Sequence, residues 1–144
     1  MTRSWHAPGR SSWRASCGDR EALTGQLTGI DEALDACERL SGPVCLLDMG
    51  DNVGGGSAAD GTYLAHALRE RRLGPAFVCL YDPESARRAR EARPGRSLAL
   101  SVGGKTDDWH GPPLEAVFRV ISLHDGRFSE PEPRHGGFTE FDQG

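Results

Sequence analysis

Asp48, Asp51 and Asp60 enclose Asn52 and the run Gly54-Gly55-Gly56, so one short stretch carries three carboxylates, an amide and a backbone free of side chains. Glycine permits positive φ and lets another group approach the main chain closely. The carboxylates would repel a phosphate, so the stretch suits a hydroxyl, amide or cationic ligand better than a bare anion. The alternative is a strand-to-helix turn in which Asp60 is an N-cap accepting from the first helical N–H groups. A second glycine loop, Gly103-Gly104-Lys105-Thr106-Asp107-Asp108, holds the single lysine of 17 basic residues. Lys105 would pair with the first loop's acids if the sheet order brings the loops together, and would otherwise lie on an exposed turn.

Other site chemistries match less well. Gly54-x-Gly56-x-x-Ala59 meets a loose dinucleotide pattern, with Asp82 where a ribose acid would stand. Gly50-Asp51-Asn52-Val53, however, intervenes between the strand and the first motif glycine, and the acids oppose a pyrophosphate. Gly104-Lys105-Thr106 ends like a P-loop, but Ala99 stands where its first glycine is required. Cys17, Cys37, Cys45 and Cys79 form no CxxC pair, and the last two fall in apolar segments, where they read as reduced core thiols. His6, His66, His110, His124 and His135 have no metal-binding spacing and read as solvated or packing side chains, so no metal ligands and no catalytic residues are assigned.

The elements that must position the loops follow from periodicity and punctuation. Asp31 would cap a helix bearing Ala33, Leu34, Cys37 and Leu40, and Gly42-Pro43 stops it before an apolar strand, Val44 to Asp48. The unit then recurs: Leu64, Ala67 and Leu68 line a helix, Gly74-Pro75 ends it, and Ala76 to Asp82 is a second apolar strand. Two such units in series predict parallel pairing of the strands. Asp82-Pro83-Glu84 is a helix start, and the arginines that follow read as a solvated face. Ser97 to Val102 and the alternating Leu114 to Leu123 read as strands, with Asp125-Gly126 turning a hairpin to Arg127 and Phe128. The expected fold is α/β, with helix-strand units and a mixed, partly parallel sheet, incomplete at both ends.

Composition bounds the rest. A chain of 144 residues is one ordinary domain, able to bury roughly two thirds of its unfolded surface if all of it folds. An apolar fraction of 37% with 19 glycines and 9 prolines predicts many loops, and residues 1–20 read as a loose or remnant arm before a domain over 21–144. A net charge of -4 gives no footprint for nucleic acid. No apolar run reaches the length of a membrane span, and residues 1–20 lack a signal-peptide core, so a cytoplasmic location is expected.

Taken in order, Gly42-Pro43-Val44-x-Leu46-x-Asp48-x-x-Asp51-Asn52-x-Gly54-Gly55-Gly56, Asp60-Gly61-Thr62, Tyr81-Asp82-Pro83-Glu84, Gly103-Gly104-Lys105, Gly111-Pro112-Pro113-Leu114-Glu115 and Asp125-Gly126-Arg127-Phe128 resemble the C-terminal domain of the MlrC-like metallopeptidases, a group named for a microcystin-degradation protein. The resemblance implies a zinc peptidase of small or linearised peptides whose metal ligands and catalytic groups belong to a separate N-terminal domain, so no cofactor is expected in this chain. Asp48, Asp51, Asn52, Gly54, Gly55, Gly56, Asp60 and Lys105 would then serve the substrate side of an interdomain cleft. Val53 stands where the family usually has proline, and Ala58-Ala59 where it often has Pro-Gly. Alanine at a position needing positive φ would cost on the order of 1 kcal/mol. The competing expectations are a stand-alone nucleotide-type binding module and an inactive remnant.

Overall fold

The computed structural model describes residues 25–134 and 136–142. The arm expected over 1–20 and Cys17 lie outside them. The chain divides into two compact units, Met1–Gly42 and Pro43–Gly144. In the first, helix α1 spans Ile30–Arg39 and buries Leu34. Its N-cap is Gly29, with no side-chain cap bond, so Asp31 lies in the first turn and does not cap the helix as expected.

The second unit contains helices α2 (Tyr63–Arg71) and α3 (Pro83–Ala92) and strands β1 (Ser97–Val102), β2 (Leu114–Arg119), β3 (Arg127–Arg134) and β4 (Phe138–Asp142). The fold is mixed α/β. α2 closes on Arg72 in the left-handed conformation, whose N–H reaches the carbonyls of Arg69 and Leu68. α3 starts as its sequence dictates: Asp82 caps it by accepting from Ser85 N at 3.0 Å, and Pro83 occupies the first turn, where its missing N–H costs nothing. β1 pairs antiparallel with β2 from Ser97↔Arg119 to Val102↔Leu114, and the bonds Gly95 N to Val120 O and Val120 N to Arg96 O extend the ladder. α3 is tied to β1 by Ser85 Oγ donating to Ser101 O (3.3 Å) and Arg88 Nη2 donating to Ala99 O (3.0 Å). Arg88 therefore does more than solvate a face, whereas Arg87 pairs with Glu91 one turn on.

Two sheet expectations are corrected. Both sheets are two-stranded and antiparallel, and Val44–Asp48 and Ala76–Asp82 join neither. A strand needs a ladder partner, and the Tyr81 N–H goes instead to Ala59 O in the first glycine loop (2.7 Å). Leu47 and Phe77 are 79% and 90% exposed, and Cys45 and Cys79 are exposed free thiols, not core residues. The second correction is the hairpin: Arg127 and Phe128 pair with β4, not with β2. Phe128 stacks on Phe141 at 5.1 Å, and Pro131 and Pro133 are tolerated because β3 has one neighbour and an irregular register between Ser129 and Arg134.

The interior of the second unit is small. Its buried side chains among the described residues are Ala65, Leu100 and Val120 on the apolar side and Asp60, Thr62 and Ser85 on the polar side. No helix among the described residues is long and apolar enough to cross a membrane.

Candidate functional site

The two glycine loops come together, and buried polar groups join them. Asp60 is 3% exposed and turns its carboxylate away from α2: Oδ2 accepts from Lys105 N (2.9 Å) and Thr106 N (3.0 Å), while its carbonyl accepts from Gly104 N (2.7 Å). It is therefore not the N-cap of α2, a position held by Thr62 without a side-chain cap bond. Thr62 is fully buried and faces the same way, its N–H going to His110 O (2.8 Å) and its hydroxyl to Pro112 O (2.7 Å). His66 Nε2 and Arg69 Nη1 extend the seam from α2 to Pro112 O and Glu115 O. Asp60 Oδ1 has no hydrogen-bond partner among the described residues.

Asp51 organises the first loop from within. Its Oδ1 accepts from Ser57 Oγ (2.7 Å) and Ala59 N (2.8 Å), and its Oδ2 from Gly61 N (2.6 Å). Burial pushes this carboxyl up, but the Gly61 N–H, the Ser57 hydroxyl and the Ala59 N–H outweigh it and hold the group below the ordinary carboxylate range. Asp48 accepts from Gly50 N and Asp51 N, and Asn52 Oδ1 accepts from Gly54 N. The stretch Val53–Gly55 is a 3-10 turn closed by Gly56 at φ +94°.

That geometry decides the dinucleotide question. The amides of Gly54, Gly55, Gly56 and Ser57 all bond within the loop, to Asn52 Oδ1, Asn52 O, Val53 O and Asn52 O respectively. The first full helix after the glycines starts only at Tyr63. A pyrophosphate cradle needs free amides at a helix start, which this loop does not offer.

Lys105 joins the loops through its backbone and not, as expected, through its ammonium group. Nζ lies 3.0 Å from Asp82 Oδ2 and 3.2 Å from Glu84 Oε2, at the start of α3. Burial pushes the ammonium down, but Asp82 and Glu84 more than offset this and hold it above its usual value. Asp82 in turn is pushed up by burial and drawn down, to about 2, chiefly by the N–H groups of Ser85 and Gly103, with Lys105 adding to them. Of the residues singled out from sequence, Asp48, Asp51, Asn52, Gly54, Gly55 and Gly56 thus build one loop, Asp60 and the Lys105 backbone fasten it to the second, and the Lys105 side chain serves α3.

Sequence reasoning missed Thr62, Ser57, Asp107 and His110. Asp107 Oδ1 accepts from Trp109 N (2.7 Å) and His110 N (3.1 Å), its Oδ2 lies 2.8 Å from His110 Nδ1, and His110 Nε2 lies 3.1 Å from Ser57 Oγ. The spacing Asp107-x-x-His110 in a glycine-bounded loop was the available signal. Among the described residues no three His, Cys, Asp or Glu side chains form a group that could hold a metal ion.

Ala59 adopts φ +59°, the left-handed conformation anticipated for a position where the family often has glycine. The Ala59→Gly variant is expected to stabilise the chain by about 1 kcal/mol, since glycine relieves the Cβ clash at positive φ. Urea unfolding midpoints of the two proteins check this, and an unchanged or lower midpoint contradicts it.

The family described as MlrC C-terminus matches residues 46–144. Microcystinase C of Sphingomonas sp. is 35% identical over 82 residues, covering 56% of this chain and 16% of that protein. A crystal structure named "Putative metallopeptidase" from Mesorhizobium sp. BNC1 is similar with a TM-score of 0.76 and 32% identity, over 92% of this chain and 26% of that one. The chain thus spans about a quarter or less of the length of these relatives.

Proposed function

This chain belongs to the MlrC C-terminus family, and from that premise we propose that it is the non-catalytic, substrate-side module of a metallopeptidase whose metal site, expected to be zinc, lies in polypeptide outside these 144 residues. The observation that carries the reading is the fastened loop, Asp48 to Gly61, taken with the family match over residues 46–144 and the 16% and 26% of the two relatives' lengths that this chain covers. The acids do not converge on a point as ligands must; they accept from backbone amides and so fix the loop's shape. The loop exposes Asp48 to Gly50 and its tip, Asn52 to Gly56, where Asn52 is the one polar side chain and Val53 the one large apolar one. A tip whose amides bond within the loop and which carries three glycines can pass close to a bound peptide backbone or to a second domain. The exposed apolar side chains of Leu47 and Phe77 supply further surface for the metal-binding part.

The reading is tested with the purified chain and a peptide mixture, with and without added zinc. It is expected to hydrolyse nothing alone, and to bind the remainder of the Sphingomonas relative expressed without its matching region and restore that protein's activity. Stoichiometric zinc binding with cleavage by the chain alone overturns the reading, as does failure to bind that remainder.

A further inference from the structure

His110 stands where the two loops meet, and the proton count there has a consequence. Its Nδ1 is 2.8 Å from Asp107 Oδ2, its Nε2 is 3.1 Å from Ser57 Oγ and 3.4 Å from Gly50 O, and Ser57 Oγ is 2.7 Å from Asp51 Oδ1. The charged groups facing the ring are therefore Asp107 on its own loop and Asp51 on the other, with the Gly50 carbonyl adding a dipole of the same sense. The line Ser57, His110, Asp107 has the distances of a nucleophilic triad, but the chemistry differs. A carboxylate can only accept, so the Ser57 hydroxyl donates to Asp51 Oδ1, and its proton is directed away from the imidazole.

With the hydroxyl proton committed to Asp51, the contact to Ser57 Oγ requires a proton on Nε2, and the contact to Asp107 requires one on Nδ1. Only the imidazolium has both. A neutral ring keeps its proton on Nδ1, donated to Asp107, and turns the Nε2 lone pair toward Ser57, which then has one proton for two acceptors.

We propose that His110 is a proton-operated clasp between the glycine loops, closed as the imidazolium and released as the neutral ring, so that the shape of the Asp48 to Gly61 loop depends on pH. Asp107 is the strongest influence on the ring; together with the Gly50 carbonyl and Asp51 it outweighs burial and raises the imidazole above its ordinary range. For a group raised in this way, the stabilisation is complete below the pKa of the free side chain, near 6.5, and is lost as pH rises through the higher value of the closed loop. The clasp deepens the reading above, since the loop it shapes is the one assigned to the substrate side, but its test reads the isolated chain.

The experiment is a site-resolved NMR titration of the whole chain from pH 5.5 to 9. His110 is expected to titrate above 6.5, and the Ala59 and Gly61 amides, which report on Asp51, to shift with the same midpoint. Their hydrogen-exchange protection factors should fall by on the order of tenfold for each pH unit separating His110's closed and open midpoints. Asp107→Asn should lower the His110 midpoint and carry the amide response with it, while His110→Gln should abolish the response. Amides that do not follow His110, or a response that survives His110→Gln, overturn the clasp and leave the domain assignment standing. The wild-type and Asp107→Asn titrations decide the matter even if His110→Gln does not fold.

Discussion

The Asp60→Ala variant is expected to lose about 3 kcal/mol of unfolding free energy, a large fraction of the margin of an ordinary domain. The loss has two parts. The amides of Lys105 and Thr106 each lose a charge-assisted acceptor at 2.9–3.0 Å, contributions of roughly 1.5–3 kcal/mol each before water reaches these partly buried groups. Against this, wild-type Asp60 bears a desolvation cost of its own, since Oδ1 is buried with no partner among the described residues, and alanine removes that cost. The Asp60→Asn variant separates the terms. It keeps one oxygen for the two amides but loses the charge and puts an NH2 group at the buried position where Oδ1 has no hydrogen-bond partner among the described residues, so an intermediate loss of about 1.5 kcal/mol is expected. Chemical unfolding of the three proteins under identical conditions measures this, and a loss under about 1 kcal/mol for alanine would mean that Thr62 and the Gly104 amide hold the seam without the carboxylate.

The same residue marks the limit of what sequence can tell. Asp60 looked like a helix cap because it precedes a helical pattern, and that inference used only neighbours. Its true partners lie 45 and 46 residues on, and nothing local distinguishes an acid that caps from one that reaches across. Where the determinants were local, the reading held: Asp82-Pro83 starts α3, Ser97–Val102 is β1, and Ala59 takes the positive φ expected of its place. Pairing was illegible for the same reason as Asp60. Two apolar segments in similar settings predicted a parallel ladder, yet apolar content says only that a segment needs cover, and neither Val44–Asp48 nor Ala76–Asp82 pairs in either sheet. Of β3 only the start, Arg127 and Phe128, is legible, because Pro131 and Pro133 argue against a strand unless it has a single neighbour, a condition fixed by tertiary structure. For Lys105, its being the sole lysine drew attention to the right loop but not to the right atom: the amide, not the ammonium, meets the first loop.

The Gly104→Ala variant is expected to be the most damaging methyl group that can be added to either loop, costing about 4 kcal/mol or preventing folding. Gly104 has φ +56°, and an added Cβ would overlap the Gly111 carbonyl oxygen and come within 2.9 Å of Pro112 C and Pro113 N. All three are backbone atoms of the segment Gly111–Pro113 that leads into β2, so relief requires moving the chain that also receives the Thr62 hydroxyl at Pro112 O. Overpacking of this kind costs roughly 1–3 kcal/mol and the left-handed conformation roughly 1–2 more. Two other glycines make the result specific. Gly56 also has positive φ, +94°, but a Cβ there meets nothing within 4 Å, so Gly56→Ala should lose only the conformational part, about 1–2 kcal/mol. Gly55 has open space and no positive φ, so Gly55→Ala should be near neutral. The order Gly104, Gly56, Gly55 in unfolding free energy would place the constraint in close backbone approach at the seam and leave the tip free for contact. Equal losses at all three would instead mean that the tip is packed in solution.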